Sequence, residues 1–526
     1  MGGEKGAAAL QRGDIAVLCA IVAFALFFRL ATLMMIHTGV DERDYWTSAK
    51  AIAFGLEYPD LTHRTVRFGV ILPVAAAQRI LGELPNVYYV LPVLNAAIQA
   101  ALAYLVGRKT RGRVCGLLAA LFLILFPYMI RAGSQVRPEI FSVTYVLAGL
   151  LCFLTYLDRT GDGRGEGHDL HPGASLTALA GAAVLFFAAY ECTVTNLFFV
   201  PGLVLVMLGR RRPLREYAIF LGLLVAFFAA ETALYAALTP FRLGQLQVIA
   251  RSHLDNNEKL MAMGLLDLFA RYAHPSLQTY WQLSFIGFAA AATWYLVRRR
   301  ATNAVALAAA ALSFFVCLTF AVKSVRPIVP AEPFINRYFT AVLAPLAVVL
   351  AAAVAEIGQG VFQRVFGRPV VVKPRFLIAL LGAGAVVVAA LFSSPFLPRS
   401  MREYAHSAFA LSAHPLVLTG AYRAEVDKAW DHGEPIVAVA GIDGDGAIKA
   451  CQEYFLSLSR YPGAAAPQVV SASIRGTVCL VLSPTGDPGS ASVVLAAIRT
   501  PFRLKEIDPA SVSKLEGEAF PDQRAK

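Results

Sequence analysis

The chain has 526 residues, of which 57% are hydrophobic and 16% charged, and its mean hydropathy is +0.59. Soluble chains run about 45–50% apolar and about 25% charged, so these figures exclude a water-soluble globular protein, a disordered tail, collagen and a small disulfide scaffold. The formal charge of +12 would suit nucleic acid, but residues 393–526 carry 13 Lys and Arg against 14 Asp and Glu, leaving 34 against 21 on the apolar remainder. A basic excess spread among apolar runs orients membrane loops, so no nucleic-acid partner is expected.

A hydrocarbon core of about 30 Å needs about 17–25 apolar residues to cross it. In chain order such runs fall at 14–36, 86–106, 114–131, 139–157, 174–190, 193–208, 216–238, 280–297, 302–322, 336–356 and 376–394. The first follows a polar start, is longer than a signal h-region and is expected to stay as an anchor. Residues 68–82 (FGVILPVAAAQRILG) form a further, shorter run that contains Pro73 and Arg79.

The basic clusters decide its status. Those at 108–113, 210–215, 298–300 and 364–375 all fall on the cytoplasmic side if the N-terminus is inside and 68–82 does not cross. The segment is therefore expected to lie as an amphipathic helix on the outer surface. The fold class that follows is an all-α polytopic membrane protein of about 11 transmembrane helices. Residues 1–395 form its membrane domain, 37–85 its first outer loop, and 396–526 an extracytoplasmic tail.

The tail reads as a small α/β domain. Strands are expected at 435–441 and 477–484, and helices at 446–461 and 489–500. Five cysteines (Cys19, Cys115, Cys152, Cys192, Cys317) fall in or beside apolar runs and read as small hydrophobes. Cys451 and Cys479 are free to pair if the tail is outside. Neither the cysteines nor His406, His414 and His432 have metal-ligand spacing, so no metal or cofactor is expected.

The strongest chemical signal is Val40-Asp41-Glu42-Arg43-Asp44-Tyr45-Trp46, just past the first span. Acidic residues contribute little to membrane orientation. Asp41 and Glu42 therefore read either as the N-terminal cap of the next helix or as a general base at the water–lipid boundary. Arg137-Pro138-Glu139 stands at the outward mouth of the fourth span, as an interface ion pair or as part of a site. Asn336-Arg337-Tyr338 enters the tenth span from outside, with Lys323 and Arg326 in the preceding loop. Arg337 suits membrane anchoring or a bidentate fork on a phosphate. Glu191 lies at an outer turn, and Glu231 lies within the seventh span towards the same side. The topology rests on Lys and Arg alone, yet these residues gather on its outer side.

In that order and spacing the chain resembles the GT-C superfamily of membrane glycosyltransferases. The nearest branch comprises the protein O-mannosyltransferases, the lipid A aminoarabinose transferases and the bacterial RgtA/B/C/D-like enzymes. The resemblance covers roughly residues 10–395 and rests on four short features. These are Asp41-Glu42 with Tyr45, the surface helix, Arg137 with Glu139, and Arg337-Tyr338 with Pro345. It departs at His63-Arg64-Thr65-Val66-Arg67-Phe68-Gly69, where many members carry a His-Pro-Pro-Leu-type segment.

The resemblance implies a polyprenyl-phosphate sugar donor, an envelope acceptor and a place in a bacterial-type cytoplasmic (inner) membrane. It also implies Asp41 as base beside Glu42, and Arg337 at the donor phosphate with Tyr338, Lys323, Arg64 and Arg67. Arg137, Glu139 and Glu191 would support that site. The alternative is a transporter or lipid flippase, which calls for polar residues near the midplane and paired broken helices.

Overall fold

The computed structural model describes residues 11–33, 40–82, 87–160, 172–256, 264–273, 283–299, 301–325, 328–330, 336–366, 373–379 and 381–382, together with strands at 436–440, 468–474, 476–482 and 492–493. Helices dominate the membrane part. In order they are α1 (Arg12–Ala31), α2 (Val40–Phe54), α3 (Phe68–Leu81), α4 (Val87–Leu125), α5 (Pro127–Ala132), α6 (Pro138–Thr160) and α7 (Pro172–Cys192). A 3₁₀ turn (Val194–Phe199) leads into α8 (Val200–Gly209), then α9 (Leu214–Leu238), α10 (Gln245–Asn256) and α11 (Leu265–Ala270). The last are α12 (Leu283–Arg298), α13 (Thr302–Phe320) and α14 (Thr340–Phe366).

Seven helices among the described residues are long and apolar enough to cross a membrane: α1, α4, α6, α7, α9, α13 and the stretch Arg337–Phe366. Helix α4 covers two of the expected spans. Its backbone leaves the helical region at Arg111 and Gly112, where Gly112 adopts φ +84°, a left-handed conformation that glycine tolerates and a side chain resists. The 86–106 and 114–131 runs are thus two helices joined by a tight reversal inside the basic cluster. The run at 376–394 is described only at its start, where 374–379 is helical.

Small residues are concentrated on α13 and α14, within a core otherwise filled by Leu, Phe, Val and Tyr. Ala304, Ala306, Ala310 and Ala311 of α13, and Ala341, Ala344, Ala351 and Ala352 of α14, are buried with Phe199, Phe314 and Phe339. Small side chains let helix backbones approach closely where lipid offers no hydrophobic drive between helices. At the expected cytoplasmic side the basic cluster enters the packing. Asp14, fully buried on α1, accepts hydrogen bonds from Arg108 (2.9 Å) and from Arg113. Lys109 pairs with Asp158 (2.7 Å) and Arg111 with Glu356 (2.9 Å). A buried carboxylate needs such partners, because an unpaired one would cost several kcal/mol.

Three departures from the sequence expectations concern strands: a hairpin before Asn336, an additional tail strand over 468–474 and a strand at 492–493. The loop before Asn336 contains an antiparallel hairpin, β1 (Val322–Val325) with β2 (Ile328–Pro330). Four β-branched residues, Val322, Val325, Ile328 and Val329, explain it.

In the tail, β3 (Ile436–Ala440), β4 (Gln468–Ile474), β5 (Gly476–Leu482) and β6 (Ser492–Val493) form a sheet in the order β4-β5-β3-β6. Strand β6 runs parallel to β3 where a helix over 489–500 is expected; its neighbouring valines, Val493 and Val494, favour extended backbone. The expected helix at 446–461, Cys451, His406, His414 and His432 lie outside the described residues.

Candidate active site

The site is assembled on α2. This helix opens on Val40 with Asp41 and Glu42 in its first turn, where carboxylates favour the positive end of the helix dipole. Successive residues of a helix point about 100° apart, so the two acids separate. Glu42 turns inward and is 1% exposed. Asp41 stays at the edge, and Asp44 follows three residues on, along the same face.

Each carboxylate meets its own arginines. The Asp41 Oδ2 accepts a 2.8 Å hydrogen bond from Arg337 Nη1, and Arg64 stands against Oδ1 as an ion pair. Arg64 also donates Nη1 to Asp44 Oδ2 at 3.2 Å. Arg337 lies over the Tyr338 ring, 5.4 Å from its centroid. Glu42 pairs separately with Arg137.

These arrangements push the two acids apart electrostatically. Burial works against the charge of Asp41, but Arg337, Arg64 and Arg67 outweigh it and hold the carboxyl below the ordinary range. Burial dominates at Glu42 and pushes its carboxyl up, against the pull of Arg137. Asp41 is thus the more acidic and partly accessible member, with 26% of its side chain exposed. Adjacent in sequence, the two acids differ in environment and hence in the chemistry open to them.

The surrounding elements explain the placement. The segment His63–Phe68 carries Arg64 and Arg67. Arg67 donates Nε to His63 O (3.0 Å) and Nη1 to Cys192 O (3.2 Å), tying the segment before α3 to the end of α7. Gly69 permits this approach, since a Cβ there would stand 2.6 Å from Cys192 Sγ and 2.7 Å from Ala188 O. Arg67 thus tethers this stretch to the rest of the bundle.

Arg137 is held by its own neighbours. Buried Arg29 donates to Met129 O and Ile130 O at 2.7 and 3.0 Å, capping α5, and the Tyr88 hydroxyl accepts Val136 N–H at 3.1 Å. Glu139, on the first turn of α6, has a buried Oε2 without a hydrogen-bond partner among the described residues.

Asp41, Glu42, Arg64, Arg67, Arg137, Glu139, Arg337 and Tyr338 therefore belong to one neighbourhood, linked by contacts or by direct electrostatic coupling. Lys323 lies on β1, with its side chain outside the described residues, as is all of Arg326. Glu191 sits apart, beyond Arg67, facing a second cluster around Glu231. The sequence reading passed over Asp44 as a ligand of Arg64, although its i+3 spacing from Asp41 signals a shared helix face. It also passed over buried Arg29. Among the described residues no group of three or more His, Cys, Asp or Glu is arranged to hold a metal.

No protein-family model and no curated protein sequence matches the chain. Solved structures similar to it include the archaeal oligosaccharyltransferase AglB from Archaeoglobus fulgidus in complex with an inhibitory peptide and a dolichol-phosphate, at 12% identity and TM-score 0.45. That match covers 86% of this chain and 60% of the AglB chain, so this chain spans only about 60% of that neighbour's length. The A. fulgidus oligosaccharyltransferase complex with Zn and sulfate matches at 13% identity and TM-score 0.42, covering 74% of this chain and 56% of that one. ArnT from Cupriavidus metallidurans bound to undecaprenyl phosphate matches at 14% identity and TM-score 0.46, covering 90% of this chain and 99% of that one.

Proposed function

We propose that the protein transfers a sugar from a polyprenyl-phosphate donor to an envelope acceptor at the outer face of a bacterial-type cytoplasmic membrane, with Asp41 as general base. The observation that carries this reading is the Asp41 carboxylate held between Arg64 and Arg337. A carboxylate bound by two guanidinium groups occupies a place where a phosphate also fits, because the forked donors suit either anion. On this reading the donor phosphate takes over part of the arginine hydrogen bonding. Asp41 is then released from its ion pairs and becomes more basic.

The chemistry is a displacement at the anomeric carbon. The acceptor O–H or N–H gives its proton to Asp41 as its oxygen or nitrogen bonds to that carbon. The bond from carbon to phosphate oxygen breaks, and polyprenyl phosphate leaves with the electron pair. Arg337 and Arg64 meet the extra charge that develops on the phosphate, a contribution of roughly a few kcal/mol per donor in a dry site. General-base help adds roughly 10²–10⁴-fold. Glu42, kept buried on Arg137, acts by positioning α2.

The wider arrangement belongs to the same proposal: eleven crossings, a membrane domain over 1–395 and an extracytoplasmic α/β tail over 396–526. A transporter or flippase is disfavoured because the charged cluster gathers at one end of the helices. Purified protein supplied with labelled polyprenyl-phosphate sugars and an envelope extract tests the reading. Acceptor-dependent release of polyprenyl phosphate supports it. Movement of intact donor across vesicles without release contradicts it.

A further inference from the structure

Beyond Arg67 lies a second polar cluster that the proposed chemistry does not use. Glu191 ends α7, Glu231 and Tyr235 lie near the outer end of α9, and Gln245 opens α10. Glu231 is well supported: it accepts the Gln245 backbone N–H at 2.8 Å and a hydrogen bond from the Tyr190 hydroxyl. Glu191 differs. It is only partly exposed, pairs with no cation among the described residues, and has Glu231, another carboxylate, as its charged neighbour.

Two further groups in the cluster lack partners. Tyr235 is 5% exposed, within electrostatic reach of both carboxylates, and its hydroxyl has no hydrogen-bond partner among the described residues. Gln245 is 1% exposed. Its amide leans on Tyr190, but Nε2 is buried without a well-directed acceptor. Buried polar groups are rarely left unsatisfied, and each one calls for an explanation.

The unused groups narrow the ligand. Glu191 offers acceptors, Gln245 Nε2 offers donors and Tyr235 offers both. A metal ion or an ammonium would suit the two carboxylates but would set a cation against the amide N–H. A hydroxyl both donates and accepts, so a ring bearing several of them satisfies all three. Aromatic rings pack around the cluster: Tyr190 edge-on to Phe228 at 4.6 Å, and Tyr235 to Phe68 at 6.5 Å between centroids. Phe68 follows Arg67, whose charge acts on Asp41, so the cluster adjoins the proposed reaction centre.

We propose that Glu191, Tyr235 and Gln245, backed by Glu231 and Tyr190, form a subsite for the hydroxyl groups of a sugar ring. This rests on the glycosyltransferase reading and adds to it the part of the chain that selects the sugar. The ring belongs either to the lipid-borne donor or to a glycan acceptor; its recognition chemistry is the same.

The test measures binding to purified, lipid-reconstituted full-length protein. The probes are bare undecaprenyl phosphate, undecaprenyl phosphate carrying mannose, glucose, galactose or arabinose, and free manno- and maltotetraose. Wild-type protein is expected to separate at least one sugar-bearing probe from its companions by about 10-fold, the scale of one or two hydrogen bonds. Glu191→Gln and Tyr235→Phe, each a change of one or two atoms, should erase that preference and leave bare undecaprenyl phosphate binding unchanged.

A lost preference among the lipid-borne sugars assigns the subsite to the donor; a loss confined to the tetrasaccharides assigns it to the acceptor. Identical ranking of all probes by wild type and both variants overturns the proposal. So does Glu191-dependent stabilisation by magnesium, calcium or spermidine without sugar discrimination. Failure of bare undecaprenyl phosphate to bind wild type contradicts the proposed function instead, and the tetrasaccharides then decide the subsite alone.

Discussion

Asp41 and Arg337 are separated by 296 residues and joined by a 2.8 Å hydrogen bond between Oδ2 and Nη1. The pair links the first turn of α2 to the start of α14, and Arg64 closes it from the other side. On the proposed reading, the base and the phosphate ligand are thus the two halves of one ion pair. Donor binding must exchange that pair for a phosphate contact, and several consequences can be measured.

Arg337→Lys keeps the charge and the anchoring reach but loses the planar fork. Donor use should weaken by about 1–3 kcal/mol, or about 5- to 150-fold, with every acceptor tested. Initial rates against donor concentration provide the check. Unchanged donor kinetics in both Arg337→Lys and Arg337→Ala would remove Arg337 from the phosphate site and leave Arg64 and Arg67.

The arginines also set a pH dependence. They hold the Asp41 carboxyl below its ordinary range despite burial, so Asp41 stays ionised well into the acid range. Removing a cation disfavours the carboxylate, so Arg337→Ala should raise the pKa and move the acid limb of kcat/KM to higher pH. The linked stability has the corresponding sign. It is present above the unfolded-state carboxyl value, about 3.9, and is lost as pH falls through the depressed folded-state value. A limb that stays in place or moves to lower pH in Arg337→Ala contradicts the coupling.

Glu42 and Arg137 should behave as a structural pair. Glu42 is 1% exposed and Arg137 is 24% exposed in the side chain. Breaking a buried pair typically costs about 3–5 kcal/mol, and partial exposure of the arginine puts this case near the lower end. Arg137→Ala should lower thermal stability by that amount in detergent, while Glu42→Gln with Arg137→Met should recover part of it. A single variant as stable as wild type would show that Glu42 is not held by this contact.

Most of the long apolar helices were legible in the sequence because apolar run length is a local property. The reversal at Gly112 is an example: a glycine inside a basic cluster separates two apolar runs, and only their merging into α4 was unexpected. The acidic pair after the first span was legible for the same reason. The union of Asp41 with Arg337 was not, since one sequence carries no distance between positions 41 and 337. Nor was the division of labour between Asp41 and Glu42, which depends on which side of α2 meets the core. The hairpin at Val322–Pro330 was passed over because a short loop between two spans masks four β-branched residues. Lys323, grouped with Arg337 by sequence proximity, sits on that hairpin.

Topology offers an independent check. Residues 68–82 are expected to stay outside, so Gly209→Cys should be cytoplasmic and Ser400→Cys extracytoplasmic. Gly209 suits the test, because nothing lies within 4 Å of an added Cβ. Impermeant thiol reagents applied to intact cells in a background lacking the other cysteines should label position 400 and spare position 209. The opposite pattern would invert the assignment of the carboxylate–arginine cluster to the outer face.

The most direct test of the central claim is polyprenyl phosphate release by wild type and Asp41→Asn under single-turnover conditions with saturating donor. Asn is nearly the size of Asp and its amide oxygen can still accept a hydrogen bond from Arg337 or Arg64, so the variant should keep α2 and the fold, but its amide cannot take a proton at neutral pH. Release should fall by roughly 10²-fold or more, while the variant still inserts in the membrane and binds donor. Near-wild-type release by Asp41→Asn would contradict the account and exclude Asp41 as the base.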